Sequence, residues 1–260
     1  MLTVRRLVAG AFSLLLLGIS YTLLAQSSYE VTITNNQFTS KNGQTIPASV
    51  IHQFKNDAAR LMLRNYDDPE DQSIRISPAQ LQPYYSILTK LYLQDEQVID
   101  IINCKVKTPP NPSTDYIQLI FDRTVSWASP LRAGVSSTKS SIINRYINRY
   151  DLIIAKHESF DARRDAITIR SAQPINMAAL ATQLYEVEGI EEINLGTTRS
   201  QTSNIIVRSN EQGWEVQFIL YFEEEGVHQQ HIWYYQVLEN GKVQFLSESG
   251  APIPEWMQCY

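Results

Sequence analysis

Two histidines near the end of the chain, His228 and His231, have the residue type and spacing of a metal-binding pair. They follow three consecutive glutamates that end at Glu225, and imidazole together with carboxylate is a ligand set that suits zinc. This spacing would align the two imidazoles on a helix, whereas the flanking residues predict a strand and a turn. A solvated turn is therefore the favoured interpretation, and a metal site at His228, His231 and Glu225 is the alternative.

The sequence carries no signature of a known catalytic centre. It has neither a Gly-x-Ser-x-Gly nucleophile elbow nor a glycine-rich phosphate loop, and neither cysteine has a histidine beside it. A triad assembled from distant residues stays open, because such triads are defined by geometry and not by sequence position. We therefore predict no catalytic residue and no cofactor.

Aromatic residues concentrate in the segment from His231 to Tyr235. On a strand, Trp233 and Tyr235 share one face and Tyr234 lies on the other. Packing in the core is the favoured interpretation of Trp233 and Tyr235, because interiors take up most large aromatic surface. The alternative is a binding surface, since Trp and Tyr are enriched at binding hot spots.

The N-terminus has the three parts of a secretory signal peptide. Arg5 and Arg6 precede an uncharged stretch from Leu7 to Ala25, and polar residues follow it. We predict a signal peptide over residues 1–26 and an exported protein that is periplasmic or extracellular. The alternative is an uncleaved N-terminal anchor, because the apolar stretch approaches the ~20 residues that span a bilayer.

Charge restricts the partners of the mature chain. Loss of Arg5 and Arg6 from the 22 basic residues leaves 20 against 27 acidic ones, a net charge of −7. This balance opposes non-specific binding to nucleic acid and provides no polybasic patch for anionic lipid. We expect no nucleic-acid partner and no membrane contact after signal cleavage, and we expect another secreted or envelope protein as the partner.

The chain has two cysteines, Cys104 and Cys259. An exported protein lies where disulfides persist, so a Cys104–Cys259 bridge is one prediction. The alternative is a buried thiol at Cys104 and a loose thiol at Cys259, because sequence separation does not show that two Cα atoms are close.

The first part of the mature chain, residues 27–106, is predicted to be a helical region. Apolar residues at helical spacing predict one helix from Ala48 to Tyr66 and a second from Pro78 to about Leu93. Ser77 and Pro78 have the types of an N-cap and a first helical residue. The segment 98–106 is open between helix and strand. The proline-rich stretch 107–113 predicts a linker.

Residues 114–196 alternate strand, helix, strand, strand, helix and strand, which is the order of a ferredoxin-like unit. The first helix is expected over Ser137–Tyr150, and the second follows an N-cap at Asn176 and ends at Gly189. Residues 203–260 predict an antiparallel meander, with a hairpin turn at Asn240-Gly241, that either forms its own sheet or extends the preceding one. The predicted fold class is α+β.

The segment Asn176-Met-Ala-Ala-Leu-Ala-Thr-Gln-Leu-Tyr-Glu-Val-Glu-Gly-Ile-Glu-Glu-Ile193 resembles the last helix and strand of subtilisin propeptide-type inhibitor domains. Together with the meander it is also similar to a group of secreted bacterial proteins of uncharacterised function. Those proteins carry a cysteine pair before the aromatic strand, whereas the stretch Phe222–His228 has none.

The first resemblance implies a ferredoxin-like domain and a non-enzymatic binding or protease-inhibitor module. Two alternatives from other classes stay open: a secreted enzyme with a dispersed site and a structural envelope protein.

Overall fold

The computed structural model describes residues 45–65, 73–110, 114–195 and 202–257 of the chain. All of them belong to one unit, Ile33–Tyr260. The signal-peptide prediction for residues 1–26 lies outside the described residues, as do residues 111–113 of the predicted linker. Within the described ranges no helix combines the length and apolar character that a bilayer crossing needs.

Three helices come first: α1 (Ala48–Arg64), α2 (Pro78–Gln94) and α3 (Glu96–Asn103). The predicted start of α2 is confirmed, because the Ser77 hydroxyl accepts the Gln80 N–H and the Gln80 side chain accepts the Ser77 N–H. These two bonds form a capping box, which satisfies N–H groups that the first helical turn leaves unpaired. Of the ambiguous segment 98–106, residues 98–103 belong to helix α3, and the Asp95 side chain is the N-cap of this helix.

The first sheet contains β1 (Tyr116–Asp122), β2 (Leu152–Ser159), β3 (Arg164–Ser171) and β4 (Ile190–Asn194). Their order across the sheet is β2-β3-β1-β4, and every neighbouring pair is antiparallel. A short 3-10 helix (Ser126–Ala128), α4 (Ser129–Arg132) and α5 (Ser141–Tyr150) lie between β1 and β2 in the chain, and α6 (Met177–Leu184) lies between β3 and β4.

One face of this sheet packs against α5 and α6. Ile117, Leu119 and Phe121 of β1 lie on this face and form a common core with Ile143 of α5 and Leu180 of α6. Alternate residues of a strand point to opposite faces, so the even-numbered residues of β1 lie on the face away from these helices.

Both helices of this region differ from their predicted bounds. Helix α5 begins at Ser141 and not at Ser137, because the Ser140 side chain accepts the Ile143 N–H and caps the helix there. Helix α6 begins after its predicted N-cap Asn176, whose side chain accepts the Ala179 N–H. It ends at Leu184, before the predicted end at Gly189, which lies immediately before β4.

The second sheet is a separate antiparallel meander. It contains β5 (Asn204–Asn210), β6 (Gly213–Glu224), β7 (Val227–Leu238) and β8 (Val243–Gly250), in that order. The predicted hairpin turn is present between β7 and β8, where Gly241 has a φ of 82° and the Leu238 N–H donates to the Lys242 carbonyl oxygen. The fold class is therefore α+β, with two antiparallel sheets.

Helices α1 to α3 cover one face of the second sheet, which we call the aromatic face because it carries Trp214, Phe218, Trp233 and Tyr235. The Tyr84 ring of α2 meets Trp214 edge to face at 5.7 Å, and the Tyr235 hydroxyl donates to the Gln97 side chain of α3 at 3.0 Å. At the end of α1, Arg64 donates to the Ile205 carbonyl oxygen of β5. The edge strand β5 is thus in contact with a helix, and such contacts are one way in which proteins protect the edge of a sheet.

We expect Trp233→Ala to lower the free energy of unfolding by about 3–5 kcal/mol, the usual cost of truncating a buried large aromatic. Trp233 is 3% exposed and lies opposite Phe218 in the sheet. Urea unfolding followed by circular dichroism measures the change. Trp256, which is 63% exposed, provides the matched control, and Trp256→Ala should fall within about 0.5 kcal/mol of wild type. Equal effects from the two variants would contradict a core role for Trp233.

Candidate functional site

The histidines with metal-ligand spacing lie on opposite faces of β7. His228 is exposed and pairs with Glu223, whereas His231 is buried and pairs with Leu220. Glu225 lies in the turn before β7, with a φ of 52°. The three candidate ligands do not converge, because an odd separation on a strand turns side chains to opposite faces. Among the described residues, no three His, Cys, Asp or Glu side chains are placed to hold a metal ion together.

His231 is held in one orientation inside the second sheet. Its Nδ1 lies 2.8 Å from the Ala251 carbonyl oxygen, which can only accept, so Nδ1 carries the proton. Its ring packs against Trp233 with centroids 4.6 Å apart. Nε2 is 3.7 Å from a Glu248 carboxylate oxygen, and within the described part of the chain it has no hydrogen-bond partner. This side chain joins the end of β8 to the aromatic core.

Trp233 and Tyr235 both lie in the core, as the favoured interpretation predicted. They face Phe218 and Val216 across the β6–β7 pair, on the side that α2 and α3 cover. Burial raises the pKa of the Tyr235 hydroxyl well above its usual range, and the negative charges of Asp95 and Glu248 add to the shift. The hydroxyl therefore remains a neutral hydrogen-bond donor.

A cluster that sequence reasoning did not find lies at the turn between β2 and β3. The Arg123 guanidinium donates to Asp165 at 2.8 Å, to the Ser159 hydroxyl and to the Asp161 carbonyl oxygen. Asp165 is buried, and its second oxygen lies 3.5 Å from His157 Nε2. Arg123 is 42 residues from Asp165, so no local pattern connects them. The cluster fastens the hairpin to the end of β1.

A second cluster that the sequence did not predict joins α1 to the first sheet. The Arg60 guanidinium makes a bidentate pair with Asp115, with its shortest contact at 2.7 Å, and also donates to the Thr108 carbonyl oxygen at 3.0 Å. The Thr114 hydroxyl donates to Asp115 as well. Arg60, Asp115 and Thr108 are all buried. The segment predicted as a linker is therefore fixed to α1 at Thr108.

Asp57, one turn before Arg60, is fully buried in the same cluster. Its Oδ1 accepts the Thr108 N–H at 2.8 Å, and its Oδ2 has no hydrogen-bond partner among the described residues. Burial raises the pKa of Asp57 from 3.8 to about 6, and the hydrogen bond from Thr108 and the charge of Arg60 oppose the rise. A buried carboxylate that lacks part of its hydrogen bonding disfavours its charged form.

The raised pKa of Asp57 makes the free energy of unfolding depend on pH. Between about pH 4 and pH 6 the folded chain keeps a proton that the unfolded chain has released, so rising pH destabilises the fold through this group. Asp57→Asn keeps an acceptor for Thr108 and cannot ionise. We expect the variant to gain stability relative to wild type from pH 4 to pH 7 by up to about 3 kcal/mol, at about 1.4 kcal/mol per pKa unit. Urea unfolding at several pH values measures the difference, and a constant difference would contradict the raised pKa.

We expect Arg60→Ala to destabilise the fold by about 3–5 kcal/mol at pH 7, because it leaves two carboxylates buried without a cation. Arg208 is exposed on β5, so Arg208→Ala is a control of the same residue type and should change stability by less than about 0.5 kcal/mol. Thermal or urea unfolding compares the two. A small effect at Arg60 would show that the cluster does not hold α1 in place.

Cys104 is the half-buried C-cap residue of α3, and Cys259 lies outside the described residues. Their disulfide stays a prediction.

The widest polar surface of the first sheet is the face away from α5 and α6, which we call the polar face. It spans all four strands around the fully buried Ile120 and Ala166, and it includes Tyr116, Gln118, Ile153, Lys156, Glu158, Thr168, Arg170, Glu192 and Asn194. Lys156 pairs with Glu158 at 2.6 Å, and the Gln118 amide donates to the same carboxylate. Ile153 is 59% exposed. The polar face therefore combines fixed charges with accessible apolar surface on a firmly backed sheet.

Comparison with protein-family models, with curated proteins and with solved structures finds no match for the chain.

Proposed function

We propose that the chain is an exported, non-enzymatic binding module of the protease-inhibitor or propeptide type, built around a ferredoxin-like unit over residues 114–196. The strand order β2-β3-β1-β4, with every neighbour antiparallel, supports the ferredoxin-like part of the proposal. The positions of α5 between β1 and β2 and of α6 between β3 and β4 agree with the helix positions of such a unit.

The helix–glycine–strand step that resembles inhibitor domains has a physical requirement for glycine. Gly189 has a φ of +79°, and a Cβ there would lie 2.2 Å from the Val125 side chain. The Gly189 carbonyl oxygen also accepts the Asp122 N–H at 2.9 Å, which fastens the start of β4 to the end of β1. The close packing of this step supports the resemblance at 176–193.

The observation that carries the proposal is the polar face itself. A sheet whose other face is packed against two helices presents its side chains on rigid backbone, so little conformational entropy is lost when a partner binds. The face mixes an ion pair, amides and an exposed isoleucine, which is the composition of many non-obligate interfaces. No observation on the described residues favours the enzyme or the structural envelope protein over binding.

We expect the purified chain to inhibit a subtilisin-type serine protease stoichiometrically, with activity falling linearly to a 1:1 end point and without cleavage of the chain. The variant Lys156→Glu/Arg170→Glu reverses two charges on the polar face and should weaken inhibition by about tenfold or more, as at a binding hot spot. Residual protease activity and the mass of the chain after incubation are the measurements.

Arg208→Glu, on the second sheet, is the control and should leave inhibition unchanged. Absence of inhibition would contradict the inhibitor function. The binding function is then tested by capture of a stoichiometric partner from the secreted fraction of the producing cell, and it fails if the polar-face variant and wild type return the same proteins or if nothing reproducible is captured.

A further inference from the structure

Helix α5 carries the tripeptide Asn-Arg-Tyr twice, at 144–146 and at 148–150. A spacing of four residues places equivalent side chains one above the other on a helix. The rings of Tyr146 and Tyr150 accordingly stack, with centroids 6.1 Å apart and planes 9° from parallel. Arg145 and Arg149 form a second, exposed row beside them.

Each guanidinium of this row lies over an aromatic ring. Arg145 lies 5.1 Å from the Tyr146 ring centroid, and Arg149 lies 5.5 Å from that of Tyr150. Arg75, before α2, also lies 5.5 Å from Tyr150 and donates to the Arg149 carbonyl oxygen at 3.1 Å. We call these five residues the Arg–Tyr ladder.

The rings are themselves fixed in place. Tyr146 is buried in the core of the first sheet, and its hydroxyl donates to Gln183 of α6 at 3.2 Å. Tyr150 is half-buried against the same core. The stacked guanidinium groups are therefore held by the fold, which lowers the entropy that binding must remove.

Stacking occupies the face of a guanidinium group and leaves the N–H donors at its edge free to bind an anion. The ion pairs among the described residues include neither Arg145 nor Arg149. Asp151, the acidic residue next in sequence, is the C-cap of α5 and makes none of these pairs. A chain with an excess of acidic residues thus presents two ordered cations with their donors directed to solvent.

We propose that the Arg–Tyr ladder is a docking surface for an extended acidic peptide segment of a partner protein. Residues four apart on a helix are separated by about 6 Å along its axis. Alternate residues of an extended chain are separated by about 6.6 Å, so acidic residues at every second position match the two guanidinium groups. Each carboxylate takes a bidentate pair of N–H donors, the strongest geometry for this contact.

This surface is distinct from the polar face. Four of its five residues lie on α5, which packs against the opposite side of the first sheet. The inference therefore does not rest on the proposed inhibitor function.

A fluorescein-labelled peptide in which Glu alternates with Ser is the probe, and fluorescence anisotropy with the full chain measures its binding. Measurements begin at about 0.01 M ionic strength, where screening is weak. Wild type should bind the alternating peptide several-fold more tightly than an isomer with the same residues in one block of Glu followed by one block of Ser. Arg145→Gln/Arg149→Gln should weaken binding of the alternating peptide by about tenfold or more, since two charge-assisted contacts are lost.

Arg163→Gln/Arg208→Gln removes the same charge from exposed positions elsewhere and should bind as wild type does. Arg145→Lys/Arg149→Lys keeps the charge, and it should fold and bind with intermediate affinity because Lys lacks the bidentate fork. An equal loss in both glutamine variants would show that only net charge matters and would overturn the proposal. Equal binding of the two peptides, full affinity of the lysine variant or no binding by wild type would overturn it as well.

Discussion

The buried pair of Arg60 and Asp115 determines where the helical region sits on the first sheet. Removing two charges from water is costly, and the pair is tolerable because the guanidinium donors also reach the Thr108 carbonyl oxygen. Asp115 is held from the other side as well, since its carbonyl oxygen accepts the Ser171 N–H at the end of β3. One residue thus belongs to α1 through its side chain and to the sheet through its backbone.

Helices α1 to α3 also pack against the second sheet, so they contact both sheets of the described fold. Arg64, one turn after Arg60, reaches the carbonyl oxygen of Ile205 in β5, while Gln94 bonds with both Gly241 and Val243 at the last hairpin. The aromatic face of the meander is consequently internal. The aromatic strand is therefore not available for recognition, whereas the polar face and the Arg–Tyr ladder present charged and amide groups on rigid backing.

Local chemistry predicted the parts of the fold that depend on neighbouring residues. Ser77 and Asn176 cap their helices because a short polar side chain can reach an N–H two or three residues ahead, and Asn240-Gly241 turns because glycine accepts a positive φ. The predicted start of α5 at Ser137 is wrong, since Ser137 and Ser140 have the same residue type and only the structure shows which of them accepts the Ile143 N–H.

The buried clusters could not be predicted in this way. Arg60 and Asp115 are 55 residues apart, and Arg123 and Asp165 are 42 apart, so nothing in a local window distinguishes them from solvated charges. Pro109 and Pro110 correctly excluded regular structure over the described residues 107–110, but they carry no information about whether Thr108 is buried. The spacing of His228 and His231 would suit a ligand pair on a helix. On a strand the same spacing places the two imidazoles on opposite faces, so only His231 faces the core.

The long-range hydrogen bonds of Arg64 and Gln94 also affect the order in which the parts of the chain fold. Their contacts with the second sheet close loops of 141 and 147 residues, and the ribosome produces the helices long before it produces β5 to β8. Until the last strands emerge, the apolar sides of α1 to α3 have no partner from that sheet, and non-local contacts of this kind form late and slowly. A chain that still lacks β5 to β8 therefore leaves the apolar sides of its first helices without this cover, and exposed apolar surface of this kind favours aggregation.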